Sequence, residues 1–203
     1  MDTAFVDELA SAAPTPGGGG ASAYCGALAA ALASMVGNLT VGKRTYVGVE
    51  PEVRASLKRL ERLRYELLDL VDGDARAFAP LATAYRMSTE TPEQREQKQE
   101  ALQEALVGAT EVPLQIMELC VAVLVEVDFM GRNGSRMARS DAGVAAVFAR
   151  AALQGASLNV RINVASIADA VVADSYRAKM DKLLAEGQLL ADETYQYVVS
   201  CLG

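Results

Sequence analysis

Residues Pro14 to Tyr46 read PTPGGGGASAYCGALAAALASMVGNLTVGKRTY. No charged side chain occurs between Glu8 and Lys43. Four consecutive glycines, Gly17, Gly18, Gly19 and Gly20, follow Pro14 and Pro16, and a stretch of Ala, Gly, Ser and Leu then runs on towards Lys43. Glycine loses more backbone entropy on ordering than any other residue, so such a run is unfavourable unless something needs bare backbone. A helix of small residues buries little area and suits a place where another backbone or a flat ligand comes close. The stretch predicts a glycine loop, a helix from about Ala21 to Leu39, and a site wall ending in a cation. It has the length of a membrane span, but its Ala, Gly, Ser, Asn and Thr content makes it a poor one, so no membrane association is expected.

Outward from this stretch the chain reads as helix. Residues 3 to 12 form a short amphipathic helix with Phe5, Val6 and Leu9 on one side, stopped ahead of Pro14. From Glu50 to about Arg86, Val53, Leu57, Leu60, Leu63, Leu67 and Val71 recur at helical spacing, with Pro51 in the tolerant first turn and Gly73 as a costly interruption. A long helix from about Pro92 to Asp128 contains Pro113, which removes a backbone donor and should kink it. Gly131 to Ser135 reads as a loop. Ser140-Asp141 then opens an alanine-rich helix to about Ile167, and a last helix runs from about Ala170 to Cys201. No segment alternates as a strand does. The expectation is an all-α, multi-helical single domain over residues 1–203, with long packed helices that assemble as a homo-oligomer.

Composition narrows the function. The net charge is -7 and the chain has no histidine. An acidic chain lacks the footprint of nucleic-acid binding. Without histidine there is no Ser-His-Asp or Cys-His chemistry and no His-ligated zinc. Catalysis must draw on carboxylates, lysine, hydroxyls, tyrosine, backbone dipoles or a cofactor. Cys25, Cys120 and Cys201 are odd in number and widely spaced, as reduced intracellular thiols are. With no basic segment at the start to act as a secretory signal, a cytoplasmic location is expected.

Several residues stand out, each with a plain reading beside a functional one. Gly17–Gly20 is either slack between helices or a set of bare N–H groups that, with the next helix terminus, binds an anion or carbonyl. Gly37 to Lys43 matches GxxxxGK, but Arg44 replaces the hydroxyl residue and a helix precedes it, so a nucleotide loop is not expected. Lys43 is either a helix C-terminal cation or, with Arg44 and Tyr46, a local positive spot for a carboxylate-bearing ligand. Asp72 and Asp74 flank Gly73. They are a solvated pair, or else Asp74, beside the apolar Ala75, Ala77, Phe78, Ala79 and Leu81, is a desolvated proton carrier. Ser140-Asp141 reads as a helix cap. Asn159 and Asn163 share a helix face and suit either a heterocycle's donor–acceptor edge or a helix–helix hydrogen bond.

In order along the chain, PTPGGGGASA, the GAL to LTVGK segment, DGDARAF at 72–78, SDAGVA at 140–145 and GASLNVRIN at 155–163 resemble the cyclodeaminase/cyclohydrolase family. That family includes the C-terminal domain of formiminotransferase-cyclodeaminase and stand-alone methenyltetrahydrofolate cyclohydrolases. The resemblance covers roughly Asp7 to Asp169. It implies an all-helical, dimeric fold with a folate site in a cleft near the dimer interface. It implies tetrahydrofolate one-carbon chemistry: cyclodeamination of 5-formiminotetrahydrofolate, or the related hydrolysis of the methenyl bridge. Carried over by motif, Gly17, Gly18, Gly19, Gly20, Ser140, Asp141, Asn159 and Asn163 would bind substrate. Asp74 would carry the proton and Lys43 would orient it or set its charge, or the two roles would be reversed. The substrate is a tetrahydrofolate derivative, no other cofactor is implied, and a separate formiminotransferase is a candidate partner. The alternative is a non-catalytic helical protein that binds folate or another partner.

Overall fold

The computed structural model describes residues 3–202. Six α-helices follow in order: α1 (Ala4–Leu9), α2 (Gly18–Asn38), α3 (Glu50–Tyr85), α4 (Pro92–Asn133), α5 (Arg139–Val164) and α6 (Ala170–Leu202). Short 3-10 turns at Arg44–Tyr46 and Arg136–Ala138 precede α3 and α5. No strand occurs among the described residues. The all-helical expectation holds.

The small-residue helix buries one side against three others. α2 packs on α3 and α5 and, less extensively, on α4, while α6 covers α4 and α5. Ala23, Ala27, Ala30 and Ala33 of α2 are buried, which lets the neighbouring helices approach closely. The larger apolar side chains come from the surrounding helices: Leu60 and Leu67 of α3, Ile116, Met117 and Leu124 of α4, and Leu153 of α5 are fully buried. α2 is long and apolar enough to cross a membrane, but 61% of its apolar window is buried inside this bundle.

Several boundaries differ from the sequence reading, and three of them bear on the site. Gly18, Gly19 and Gly20 are not a loop but the first turn of α2, with Gly17 as its N-cap. α4 does not stop at Asp128 but continues to Asn133, because Gly131 is buried against Ala142 and Val198 and Arg132 pairs with Asp128 one turn back. Ser140-Asp141 does not cap α5. The helix starts at Arg139, and its N-cap, Ala138, offers no side-chain bond. Further along, α4 starts on a reciprocal capping box between Thr91 and Gln94, and Lys98 Nζ donates to the Tyr85 and Met87 carbonyls at the end of α3.

One buried acid holds α3 to α4. Glu126 accepts from Ser56 Oγ at 2.6 Å and from both Nε and Nη2 of Arg59. The sequence carries no periodic signal for it, because Glu126 simply interrupts an apolar face of α4.

Candidate active site

The N-terminus of α2 meets the middle of α3 at Asp74. A Cβ on Gly19 would lie 2.0 Å from Asp74 Oδ1 and 2.3 Å from its Cγ. A Cβ on Gly20 would lie 3.0 Å from the Val71 carbonyl oxygen. The glycine run therefore exists so that a carboxyl group and a helix backbone can sit against the start of α2. The Gly20 N–H, one of the first-turn donors with no partner inside its own helix, donates to Asp74 Oδ2 at 3.1 Å. The anion at this helix terminus is the chain's own Asp74.

Asp74 belongs to a pocket of about 290 Å³. Gly17 and Gly18 form its rim, Phe78 and Ile162 supply apolar walls, and Asn159 and Asn163 reach in from α5. Among the described residues Asp74 is the only charged one lining it. Burial pushes the Asp74 carboxyl above the usual aspartate range, partly offset by the Gly20 N–H. Among the described residues Oδ1 accepts no bond, and it is not sealed in the core. It lies against Gly19, with a lone pair left for a proton. Asn163 Nδ2 donates to the Ala109 carbonyl at 2.8 Å, and Asn159 Nδ2 makes a longer, 3.4 Å contact to the Gly155 carbonyl. Both readings of the asparagine pair thus apply: the amides bond to backbone and line the pocket.

The remaining expected residues lie elsewhere. Lys43 follows the C-terminal end of α2, roughly 30 Å along the helix from Gly17 at 1.5 Å per residue. Its Nζ donates to Ser135 Oγ at 3.3 Å. Ser140 and Asp141 lie at the start of α5, at this same end, tied in by the Ser135 N–H bond to Thr40 Oγ1 and the Arg136 N–H bond to the Tyr46 hydroxyl. α2 and α5 run antiparallel, since Gly18 adjoins Asn159 while Cys25 Sγ donates to the Phe148 carbonyl. The direct Lys43–Asp74 pairing expected from sequence therefore does not occur within one chain. The site residues form two groups: Gly17–Gly20, Asp74, Asn159 and Asn163 at one end, and Lys43, Ser140 and Asp141 at the other. The second end also carries a cavity of about 600 Å³ lined by Arg132, Arg136 and Arg139 together with Tyr46 and Tyr197. Though larger, it holds none of the Asp74 group.

The formiminotransferase-cyclodeaminase family model matches residues 2–182. The chain belongs to the formiminotransferase-cyclodeaminase family. It is 41% identical to the methenyltetrahydrofolate cyclohydrolase of Methylorubrum extorquens over 97% of this chain and 94% of that protein. It is 36% identical to the formimidoyltransferase-cyclodeaminase of Rattus norvegicus, covering 93% of this chain but 35% of that longer protein. The crystal structure of formiminotetrahydrofolate cyclodeaminase from Thermotoga maritima superposes with a TM-score of 0.82 at 33% identity, covering 98% of this chain and 93% of that one. The family resemblance read from the motifs is therefore correct.

Within this family member, sequence reasoning missed the Ala109 carbonyl and Ile162 as parts of the pocket. Pro113 was the available signal for the first, because a proline inside a helix frees the carbonyl four residues earlier. Among the described residues no group of three or more His, Cys, Asp or Glu side chains is gathered to hold a metal ion. Cys25, Cys120 and Cys201 are free thiols, and burial pushes Cys25 and Cys120 up, away from thiolate reactivity.

Proposed function

We propose that the protein is a methenyltetrahydrofolate cyclohydrolase, acting on the one-carbon bridge between N5 and N10 of tetrahydrofolate. The observation that carries this reading is Asp74, among the described residues the single charged group of an apolar-walled pocket, with one oxygen held by Gly20 N–H and the other without a partner there. The methenyl substrate is cationic at the bridge carbon, and a lone carboxylate favours that charge. Asp74 takes a proton from water as the water oxygen bonds to the bridge carbon, giving a neutral tetrahedral adduct. It then returns the proton to N5 as the carbon–N5 bond breaks, while the adduct hydroxyl loses its proton to solvent. The products are 10-formyltetrahydrofolate and one proton. A carboxyl whose charged form is disfavoured by burial is suited to both transfers near neutral pH. Asp74 takes the proton from water and delivers the one to N5, the last proton leaves to solvent, no resident cofactor is called on, and we place the reaction in the cytoplasm.

We further propose that the site is completed across a homodimer. Tyr24, Leu28, Met35 and Leu39 form an exposed apolar stripe on α2, and Val144, Val147 and Leu158 form another on the adjoining α5. A two-fold axis across this uncharged face reverses α2 against its copy. The Asp74 end of each protomer then adjoins the partner's Lys43, with Ser140 and Asp141 alongside. Such a contact is isologous and unites the two separated groups of site residues.

The end-to-end likeness to a cyclohydrolase supports hydrolysis. Cyclodeamination of 5-formiminotetrahydrofolate, with a separate formiminotransferase supplying substrate, is the second reading, supported by the likeness to a formiminotetrahydrofolate cyclodeaminase. It needs a proton for departing ammonia, which Asp74 could equally deliver. Two absorbance assays separate them. Catalysed loss of the methenyl chromophore marks the hydrolase, and its catalysed appearance from the formimino compound marks the deaminase. Folate binding with neither change would replace both with a non-catalytic role.

A further inference from the structure

Pro113 is buried in the middle of α4, yet the helix continues unbroken from Pro92 to Asn133. A proline at that position has no N–H, so the Ala109 carbonyl one turn earlier loses its ordinary helical partner. Ala109 lines the Asp74 pocket, so that carbonyl is released beside the site. The group that satisfies it is Asn163 Nδ2, at 2.8 Å from across the bundle. A carbonyl oxygen only accepts, so the amide nitrogen of Asn163 must face it, and the flip of this side chain is fixed by chemistry. Among the described residues Asn163 Oδ1 then accepts no bond, and since no fully buried side-chain oxygen lacks a partner, it is accessible, on a residue that lines the cavity.

We propose that Pro113 is a positioning residue for the substrate. By freeing the Ala109 carbonyl it locks the Asn163 amide with Oδ1 aimed into the pocket, where that oxygen accepts from an N–H of the substrate's ring. This rests on the folate reading above only for the identity of the ligand. The relay itself is set by Pro113, Ala109 and Asn163. It makes the pocket an array of acceptors (Asp74 Oδ1 and Asn163 Oδ1) that selects a ring edge carrying donors, and disfavours an isostere with an acceptor at that position.

The test is a double-mutant cycle on the full-length protein with Pro113→Ala, Asn163→Ala and the combination. Pro113→Ala restores an N–H that competes for the Ala109 carbonyl and loosens Asn163. The expected result is a KM for methenyltetrahydrofolate raised about threefold in Pro113→Ala and about tenfold in Asn163→Ala, the scale of one neutral hydrogen bond, with kcat held. The combination should be no worse than Asn163→Ala alone. Asn163→Asp, which keeps acceptor oxygens but cannot donate to Ala109, should also raise KM at least tenfold. Multiplying effects in the cycle, a Pro113→Ala change confined to thermal stability, or an unaltered KM in Asn163→Asp would each overturn the relay. Solvent exchange of the Asn163 side-chain NH2 protons, followed by NMR, is independent of turnover. Slow exchange in the unsubstituted protein and faster exchange in Pro113→Ala supports the relay even if the folate reading fails, and equal exchange rates overturn it.

Discussion

Replacing Gly19 by alanine separates the catalytic use of the glycine run from its cost to the fold. The new Cβ would sit 2.0 Å from Asp74 Oδ1, 2.3 Å from Cγ and 2.6 Å from Oδ2. Ordinary contact needs about 3.5 Å, so the carboxyl group must retreat by more than 1 Å, roughly the displacement that costs a catalytic group 100-fold in rate. Because the obstacle is the end of a side chain, the cheapest response is rotation of Asp74 off the Gly20 N–H, with α2 staying in place. Stability then loses a hydrogen bond of about 1 kcal/mol and regains a similar amount from the better helix propensity of alanine. Gly19→Ala should therefore fold with an almost unchanged melting temperature and lose on the order of 100-fold in kcat/KM. Gly108→Ala is the control: a Cβ there meets nothing within 4 Å, so stability should rise by about 0.5–1 kcal/mol with turnover intact. Steady-state loss of the methenyl chromophore and a thermal melt read both quantities. Gly19→Ala within twofold of the parent rate would refute the reasoning, since Asp74 cannot keep its place beside that Cβ.

Asp74→Asn can still accept from the Gly20 N–H but cannot carry the proton, so turnover should drop to near the uncatalysed rate while substrate still binds. A raised pKa means the folded state holds its proton to higher pH than the unfolded chain, so stability falls as pH rises through that window and ionised Asp74 weakens the fold at neutral pH. Asp74→Asn should then melt at or above the parent temperature at pH 7, and a clear drop would count against a desolvated carboxylate. In the parent enzyme kcat/KM should decline on acidification at a pH above the usual aspartate range, as Asp74 becomes protonated; a flat profile down to that range would remove Asp74 as the base. Arg59→Ala leaves the Glu126 charge buried with Ser56 alone and should cost about 2 kcal/mol in urea unfolding, below the full buried-pair penalty because Arg59 itself reaches solvent. Lys43→Ala should lower turnover without changing the melting temperature, because among the described residues its side chain bonds only to Ser135 Oγ, at 3.3 Å.

The helical fold was legible because the apolar spacing of α3 and the uncharged α2 stretch are local patterns. The glycine run was read correctly as a demand for bare backbone but wrongly as a loop. Its cause is Asp74, which sits 54 positions away from Gly20 and caps α2 from another helix. Gly131 misled in the opposite direction: glycine commonly ends a helix, yet here it is buried against α5 and α6 so that α4 can pass close to them. The motifs singled out Asp74, Asn159, Asn163 and Lys43, but a linear order cannot reveal that Lys43 and Asp74 lie at opposite ends of α2. The Ala109 carbonyl was invisible because a backbone group carries no residue signature, and only the proline four positions later marks it.

The most direct measurement mixes two disabled proteins. Asp74→Asn and Lys43→Ala are each purified, combined in equal amounts, dissociated and reassociated, and assayed for loss of methenyltetrahydrofolate. If each site takes Asp74 from one protomer and Lys43 from its partner, half of the dimers are mixed and each mixed dimer has one intact site. Activity should return to about a quarter of the parent value. Activity that stays at the level of the two separate variants, in a mixture proven to exchange subunits, would contradict the shared site.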